Sequence, residues 1–260
     1  MDSRSAGVLM NITSLPGPYG VGCFGPEAKG WVDTLADMGF RQWQVLPLGP
    51  LDSAGSPYAG NSAFAGNELY IDPRALLEQG LVTEGEEAAC RYGGSPYTAD
   101  YAHARETREA LLRQAFSRRT SIMQEADAAF ASANAWAADY ALYRALKKRF
   151  GGRPWWEWPE PYAHYPTAVT AAEDAAVKED AACTLFAQRL FFEQWAELKA
   201  YAHEKGVRII GDMPIYLSRD STDVWRDVYK RQSQGIPRHR PLSAFFRYRM
   251  DKQKMNESKR

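Results

Sequence analysis

The segment Val207-Arg208-Ile209-Ile210-Gly211-Asp212-Met213-Pro214 constrains the fold more than any other: a short apolar run ends in a lone carboxylate and then a proline. Proline has no N–H and fixes its own φ, so strand pairing stops there and Asp212 is left at a strand's C-terminal end. Parallel α/β barrels place their substrate-facing groups at that position. The preceding stretch, Leu185 to Lys205, carries Phe186, Leu190, Phe191, Trp195, Leu198 and Tyr201 at helical spacing, with Gly206 in position to cap the end. The pattern predicts a long amphipathic helix feeding the strand.

The start of the chain repeats this logic. Gly7-Val8-Leu9-Met10 and Trp43-Gln44-Val45-Leu46-Pro47-Leu48-Gly49-Pro50 read as strands. Between them, Gly25, Pro26 and Gly39 punctuate a helix whose Ala28, Trp31, Val32, Leu35 and Met38 form one apolar stripe. Strand, helix, strand is a βαβ unit, which implies parallel pairing. From about Arg74 to Ala182 the chain turns to helices, including one around Leu111, Leu112, Ala115 and Phe116 and another around Trp136, Tyr140, Tyr143 and Leu146. A connection this long cannot be a bare loop, so it reads as a helical insertion between the second and third strands. After Trp225 the regular pattern is expected to stop. The expected architecture is α/β, an incomplete (β/α)8 TIM-type barrel with about three strands. Residues 1–73 hold its first part, 74–183 the insertion, 184–225 a barrel helix and strand three, and 226–260 an irregular basic tail.

Composition excludes several classes. Three widely spaced cysteines, Cys23, Cys90 and Cys183, suit neither a disulfide framework nor a zinc site, and a reducing cytoplasm is the simplest location. No run approaches the roughly 18 apolar residues of a membrane span. His103, His164, His203 and His239 show no metal spacing, and no dinucleotide loop or P-loop occurs, so neither metal nor cofactor is implied. The zero net charge conceals a split, with 21 Lys+Arg against 29 Asp+Glu in residues 1–225 and 11 against 3 in 226–260. Basic side chains alone bind polyanions without specificity. With no aromatic-basic interleaving beside them, a nucleic-acid arm is disfavoured.

The second strand is followed by Gly55-Ser56-Pro57-Tyr58-Ala59-Gly60-Asn61-Ser62-Ala63-Phe64-Ala65-Gly66-Asn67, a small, polar, glycine-rich loop. Together with Gly7-Val8-Leu9-Met10-Asn11-Ile12-Thr13-Ser14-Leu15-Pro16 and the Asp212 segment, it resembles the amylomaltase family, the 4-alpha-glucanotransferases of retaining α-glycosidase type. The resemblance covers about Arg4 to Trp225. It implies transfer of α-1,4-glucan segments between maltooligosaccharides, with Ser56, Tyr58 and Asp212 holding substrate. For Tyr58 alone the plainer reading is an aromatic covering the rim, and for Asp212 a strand-end carboxylate capping the next loop.

Retaining chemistry needs a nucleophilic and an acid/base carboxyl about 5–5.5 Å apart. The resemblance places both beyond the matching segment, so no catalytic residue is assigned and the chain by itself is expected to be inactive. Arg247-Tyr248-Arg249-Met250-Asp251 contains an Arg-x-Asp like that of the family's nucleophile, but Lys252 and Gln253 follow it. Asp251 therefore reads as a solvated charge. Trp155, Trp156 and Trp158 could stack on glucan or pin an irregular loop, with the structural role favoured. The alternative function is a non-catalytic α-glucan-binding module.

Overall fold

The computed structural model describes residues 4–52, 54–214 and 218–232, so Asp251 and most of the expected tail lie outside the described residues. Three short strands, β1 (Gly7–Leu9), β2 (Gln42–Gln44) and β3 (Arg208–Ile210), form one parallel sheet in the order β1-β2-β3. Gly7, Gln42 and Arg208 are in register, as are Leu9, Gln44 and Ile210. Trp43 at the centre is fully buried and its indole N–H donates to the Met10 carbonyl at 2.8 Å. The parallel pairing expected of the βαβ unit is present. The second strand is much shorter than expected: beyond Gln44 a single further bond, Val45 N–H to Ile210 C=O at 2.9 Å, continues the ladder. Pro47 and Pro50 supply no donor to extend it.

Helix α1 (Pro26–Asp37) begins at Gly25 with Pro26 in its first turn and ends before Gly39, whose φ of +80° is the left-handed conformation that suits glycine. Ala28, Val32 and Leu35 are buried against the sheet. Met38 departs from the expected stripe, being 67% exposed, because it caps the helix where the chain turns away.

Helices α2 (Pro73–Glu78), α3 (Glu84–Ala89), α4 (Tyr101–Ser117), α5 (Ser121–Ala133), α6 (Ala135–Arg149) and α7 (Tyr165–Ala171) follow. Leu111, Leu112, Ala115, Tyr140, Tyr143 and Leu146 are buried as their spacing predicts. Helix α8 runs unbroken from Ala175 to Glu204, so the helix expected from Leu185 starts well before it, and the 183/184 boundary falls inside it. The Asp174 carboxylate sets the start by accepting the Ala176 N–H at 2.9 Å. From Phe186 onward α8 packs Phe186, Leu190, Phe191 and Leu198 into the core shared with α1 and Trp43, and Gly206, at φ +74°, turns the chain into β3.

A second core gathers Tyr143, Leu146, Trp155, Trp158, Val177 and Trp225. The expectation that regular structure stops after Trp225 is corrected by α9 (Thr222–Gln232), which runs through it with one non-helical residue, Asp227. Buried Trp225 anchors this helix, its indole N–H donating to Tyr162 C=O at 3.1 Å.

Helix α3 opens with a capping box: the Thr83 hydroxyl accepts the Glu86 N–H at 3.3 Å and the Glu86 carboxylate accepts the Thr83 N–H at 2.7 Å. Arg118 grips the same carboxylate from the end of α4 and holds its pKa down at about 2. The folded value lies below the ordinary 4.5, so the linked stability is full above that pH and is lost as pH falls toward 2. Glu86→Gln is therefore expected to flatten the acid limb of the urea midpoint over that window, and an unchanged limb would show that the pair is not linked to folding.

Candidate functional site

The C-terminal ends of the strands open into a cleft of about 260 Å³. One wall is the extended stretch Val45–Gly49, a second is Ser62–Gly66, the floor is Phe191, Phe192 and Trp195 of α8, and the third wall is Gly211–Pro214 after β3. The βαβ topology builds this arrangement, since each parallel strand delivers its following loop to the same end of the sheet. Asp212 is the one acid among the described lining residues.

Tyr58 and Asp212 meet at the mouth. The phenol donates to Asp212 Oδ2 at 2.7 Å, although 154 positions separate the two residues. Asp212 Oδ1 accepts the Met213 N–H at 2.7 Å, which orients the carboxylate. The bond to Asp212 raises the Tyr58 pKa above that of an ordinary phenol, so its proton stays in place. Tyr58 is 43% exposed, leaving much of the residue accessible to a ligand. Neither Tyr58 nor Ser56 is among the described residues lining the cleft, and Tyr58 reaches it only through Asp212. The Ser56 hydroxyl accepts the Tyr58 N–H at 3.3 Å, while its own N–H is held by Asp52 Oδ1 at 2.8 Å. Ser56 thus shapes the turn that presents Tyr58.

The loop is tied down along its length. Ser62 Oγ accepts the N–H groups of Phe64 and Ala65 at 3.1 and 3.2 Å. The Asp223 carboxylate of α9 accepts the Ala63 N–H at 3.0 Å, and the Thr222 N–H donates to Asn61 C=O at 2.9 Å. Gln188 of α8 clamps the far end with both arms of its amide, accepting the Gly66 N–H at 2.8 Å and donating to Gly66 C=O at 2.9 Å. Gln188 is fully buried and sequence reasoning missed it; a glutamine on the apolar side of a long amphipathic helix was the available signal. Phe191 and Trp195 were read only as inward-facing residues of the helix, yet they also floor the cleft, together with Phe192, which the spacing did not single out.

The tryptophan run divides. Trp155 and Trp158 are buried with their indole N–H groups donating to the Arg219 and Arg153 carbonyls, each at 2.9 Å, so both pin the loop. Trp156 is 38% exposed, with the Arg219 guanidinium 4.3 Å from its ring centre. Among the described residues no cluster of three metal-ligating side chains occurs, no helix is long and apolar enough to cross a membrane, and all three cysteines are buried free thiols.

Comparison with known proteins gives a consistent result. A family model described as 4-alpha-glucanotransferase matches residues 10–237, past the Trp225 limit expected from the sequence. The 4-alpha-glucanotransferase of Thermus thermophilus is 44% identical over 223 residues, covering 85% of this chain and 44% of the relative. That of Streptococcus pneumoniae serotype 4 is 40% identical over 235 residues, covering 88% and 46%. Among solved structures, an amylomaltase from Streptococcus agalactiae in complex with acarbose aligns with a TM-score of 0.81 at 36% identity, covering 86% of this chain and 46% of that one. The chain spans less than half the length of these relatives.

Proposed function

This chain belongs to the 4-alpha-glucanotransferase family, and we propose that its described residues form the sugar-holding wall of an α-1,4-glucan cleft. The enzyme is one that transfers glucan segments between maltooligosaccharides with retention. The observation that carries this reading is the Tyr58–Asp212 bond at the mouth of the cleft. An aromatic face beside a fixed carboxylate suits a neutral sugar, offering the ring a surface to pack on and its hydroxyls an acceptor. Ser56 contributes by holding Tyr58 in its turn and by its hydroxyl proton, which is left to donate.

Retention requires two carboxyl groups across the scissile bond. Asp212 alone lines the described cleft, so we assign nucleophile and acid/base to residues outside it and give this chain binding rather than bond cleavage. The same single acid supports the second reading, an α-glucan-binding module. The three-stranded sheet is read as the opening of a (β/α)8 barrel. Leu9, Gln44 and Ile210 share one face of the sheet and all three are exposed, Leu9 at 55% and Ile210 at 41%, as expected of a barrel interior whose other strands are not among the described residues. Residues 1–73 and 184–225 contribute to the barrel in this reading, and 74–183 form an insertion that shares α8 with it.

Tryptophan fluorescence titration tests the assignment. Maltoheptaose is expected to bind saturably, cellohexaose not to bind, and maltotriose to release no glucose. Failure to bind maltoheptaose sinks the sugar cleft, and glucose above a blank sinks the absence of catalysis.

A further inference from the structure

Behind the loop, on the far side of Gly66 and Asn67, lies a second pocket of about 160 Å³ where the chemistry is ionic. It is bounded by both ends of the loop, Pro50 and Leu51 at one and Gly66 and Asn67 at the other, and closed by α4 and α6. Three guanidinium groups line it, those of Arg105, Arg108 and Arg144, against the two carboxylates Glu68 and Glu109. Glu68 faces Arg144 at 3.8 Å; Glu109 faces Arg113 at 3.6 Å and Lys148 at 3.8 Å, both of which sit closer to Asp180, at 2.7 and 3.1 Å. It is therefore the lining itself, three guanidinium groups against two carboxylates, that leaves the pocket positive.

Arg108 is the anomaly. It is 1% exposed, and among the described residues it forms no ion pair. Its Nη1 donates to the Ile71 carbonyl, its guanidinium lies 5.6 Å from the Tyr19 ring centre, and its Nε–H has no partner. Buried charges are normally paired, because leaving water is costly for an ion. Asn67, 6% exposed, likewise leaves its Nδ2 unpartnered while its Oδ1 accepts the Leu69 N–H at 3.1 Å. Two residues that line one positively charged pocket thus each carry a buried donor without an acceptor.

We propose that this pocket binds a compact tetrahedral oxyanion of the phosphate class. Arg108 Nε and Asn67 Nδ2 donate from the inside, and Arg105 and Arg144 close over it from the rim. Tyr140 adds a hydroxyl that accepts from Arg144 Nη1 at 3.3 Å and keeps its own proton to donate. Burial pushes the pKa of that phenol up to about 12, so it is a neutral donor at physiological pH. Planar guanidinium forks match phosphate oxygens in pairs. Arg105 already donates to the Asp52 carbonyl at 3.1 Å, so an anion here joins both ends of the loop that carries Tyr58.

The test is equilibrium dialysis of the chain with orthophosphate at constant ionic strength, balanced with chloride, paired with the melting temperature. One phosphate is expected to bind saturably. At a hundred times the Kd, the melting temperature is expected to rise by about 5–10 °C. Arg105→Met/Arg144→Met alters exposed or half-exposed side chains and is expected to weaken binding at least ~10-fold. Arg208→Met, on the exposed edge strand, is expected to leave it unchanged. Titration with glucose 1-phosphate separates the sources: tighter binding than orthophosphate assigns a sugar phosphate, weaker binding the free ion, and either supports the site. No saturable uptake, or equal uptake by the double variant, overturns the proposal.

Discussion

Replacing Gly66 with alanine is expected to destabilise the chain by about 2–3 kcal/mol and to disorganise the sugar loop with it. A Cβ at this position would run into the Phe191 ring, which is itself 2% exposed and packed against Phe24, Tyr70 and Phe192. Either the ring leaves its place or the loop backs away from α8, and backing away breaks both bonds to Gln188. Gln188→Leu separates the two effects, since it spares the ring and strands the Gly66 N–H and C=O without partners. Its expected loss is about 3 kcal/mol, set by the desolvation of two buried backbone groups. Urea midpoints measure both variants. A Gly66→Ala chain as stable as the wild type would show that the loop is not held against α8 as described.

The second large effect concerns the ligand. Asp212→Asn is expected to weaken maltoheptaose binding roughly 10- to 100-fold, as fits the loss of charge-assisted hydrogen bonds of about 1.5–3 kcal/mol. Tyr58→Phe keeps the ring and removes the phenol that orients Asp212, so a smaller loss of about 2- to 10-fold is expected. The order matters more than either size. A carboxylate that merely capped its own loop would show little change in sugar affinity on replacement by asparagine, and equal affinity for all three chains would return Asp212 to that plainer role. Urea midpoints for the same variants control for folding.

Much of the framework was legible because it rests on local chemistry. Gly25, Pro26 and Gly39 bracket α1 through backbone constraints that belong to those residue types alone. The apolar run before Asp212 and the glycine after α8 located β3 in the same way. What was not legible depends on partners distant in the chain. Nothing local distinguishes the face of α8 that meets the sheet from the turn that floors the cleft, so Phe191 and Trp195 read as core and Phe192 was passed over. Strand length was overestimated after Trp43 because apolarity persists to Leu48 while the ladder depends on what lies alongside. The composition break at Trp225 misled, since that buried side chain anchors a helix that continues beyond it.

The site shows the same division. Tyr58 and Asp212 were found through separate motifs, but their hydrogen bond is a product of topology, which brings the second and third strand loops to one end of the sheet. Gln188 carried only a weak signal, a polar residue on an apolar face, and its meaning emerged from the backbone opposite. The tryptophan run was decided by burial: two indoles spend their N–H groups on backbone carbonyls and are unavailable as a sugar platform.

A structure of the chain with maltoheptaose bound bears most directly on the central claim, that the Tyr58–Asp212 pair holds sugar. The account predicts a glucosyl ring packed on the Tyr58 face with a hydroxyl within about 2.6–3.2 Å of the Asp212 carboxylate. Sugar ordered elsewhere on the surface, with the cleft mouth untouched, would contradict it.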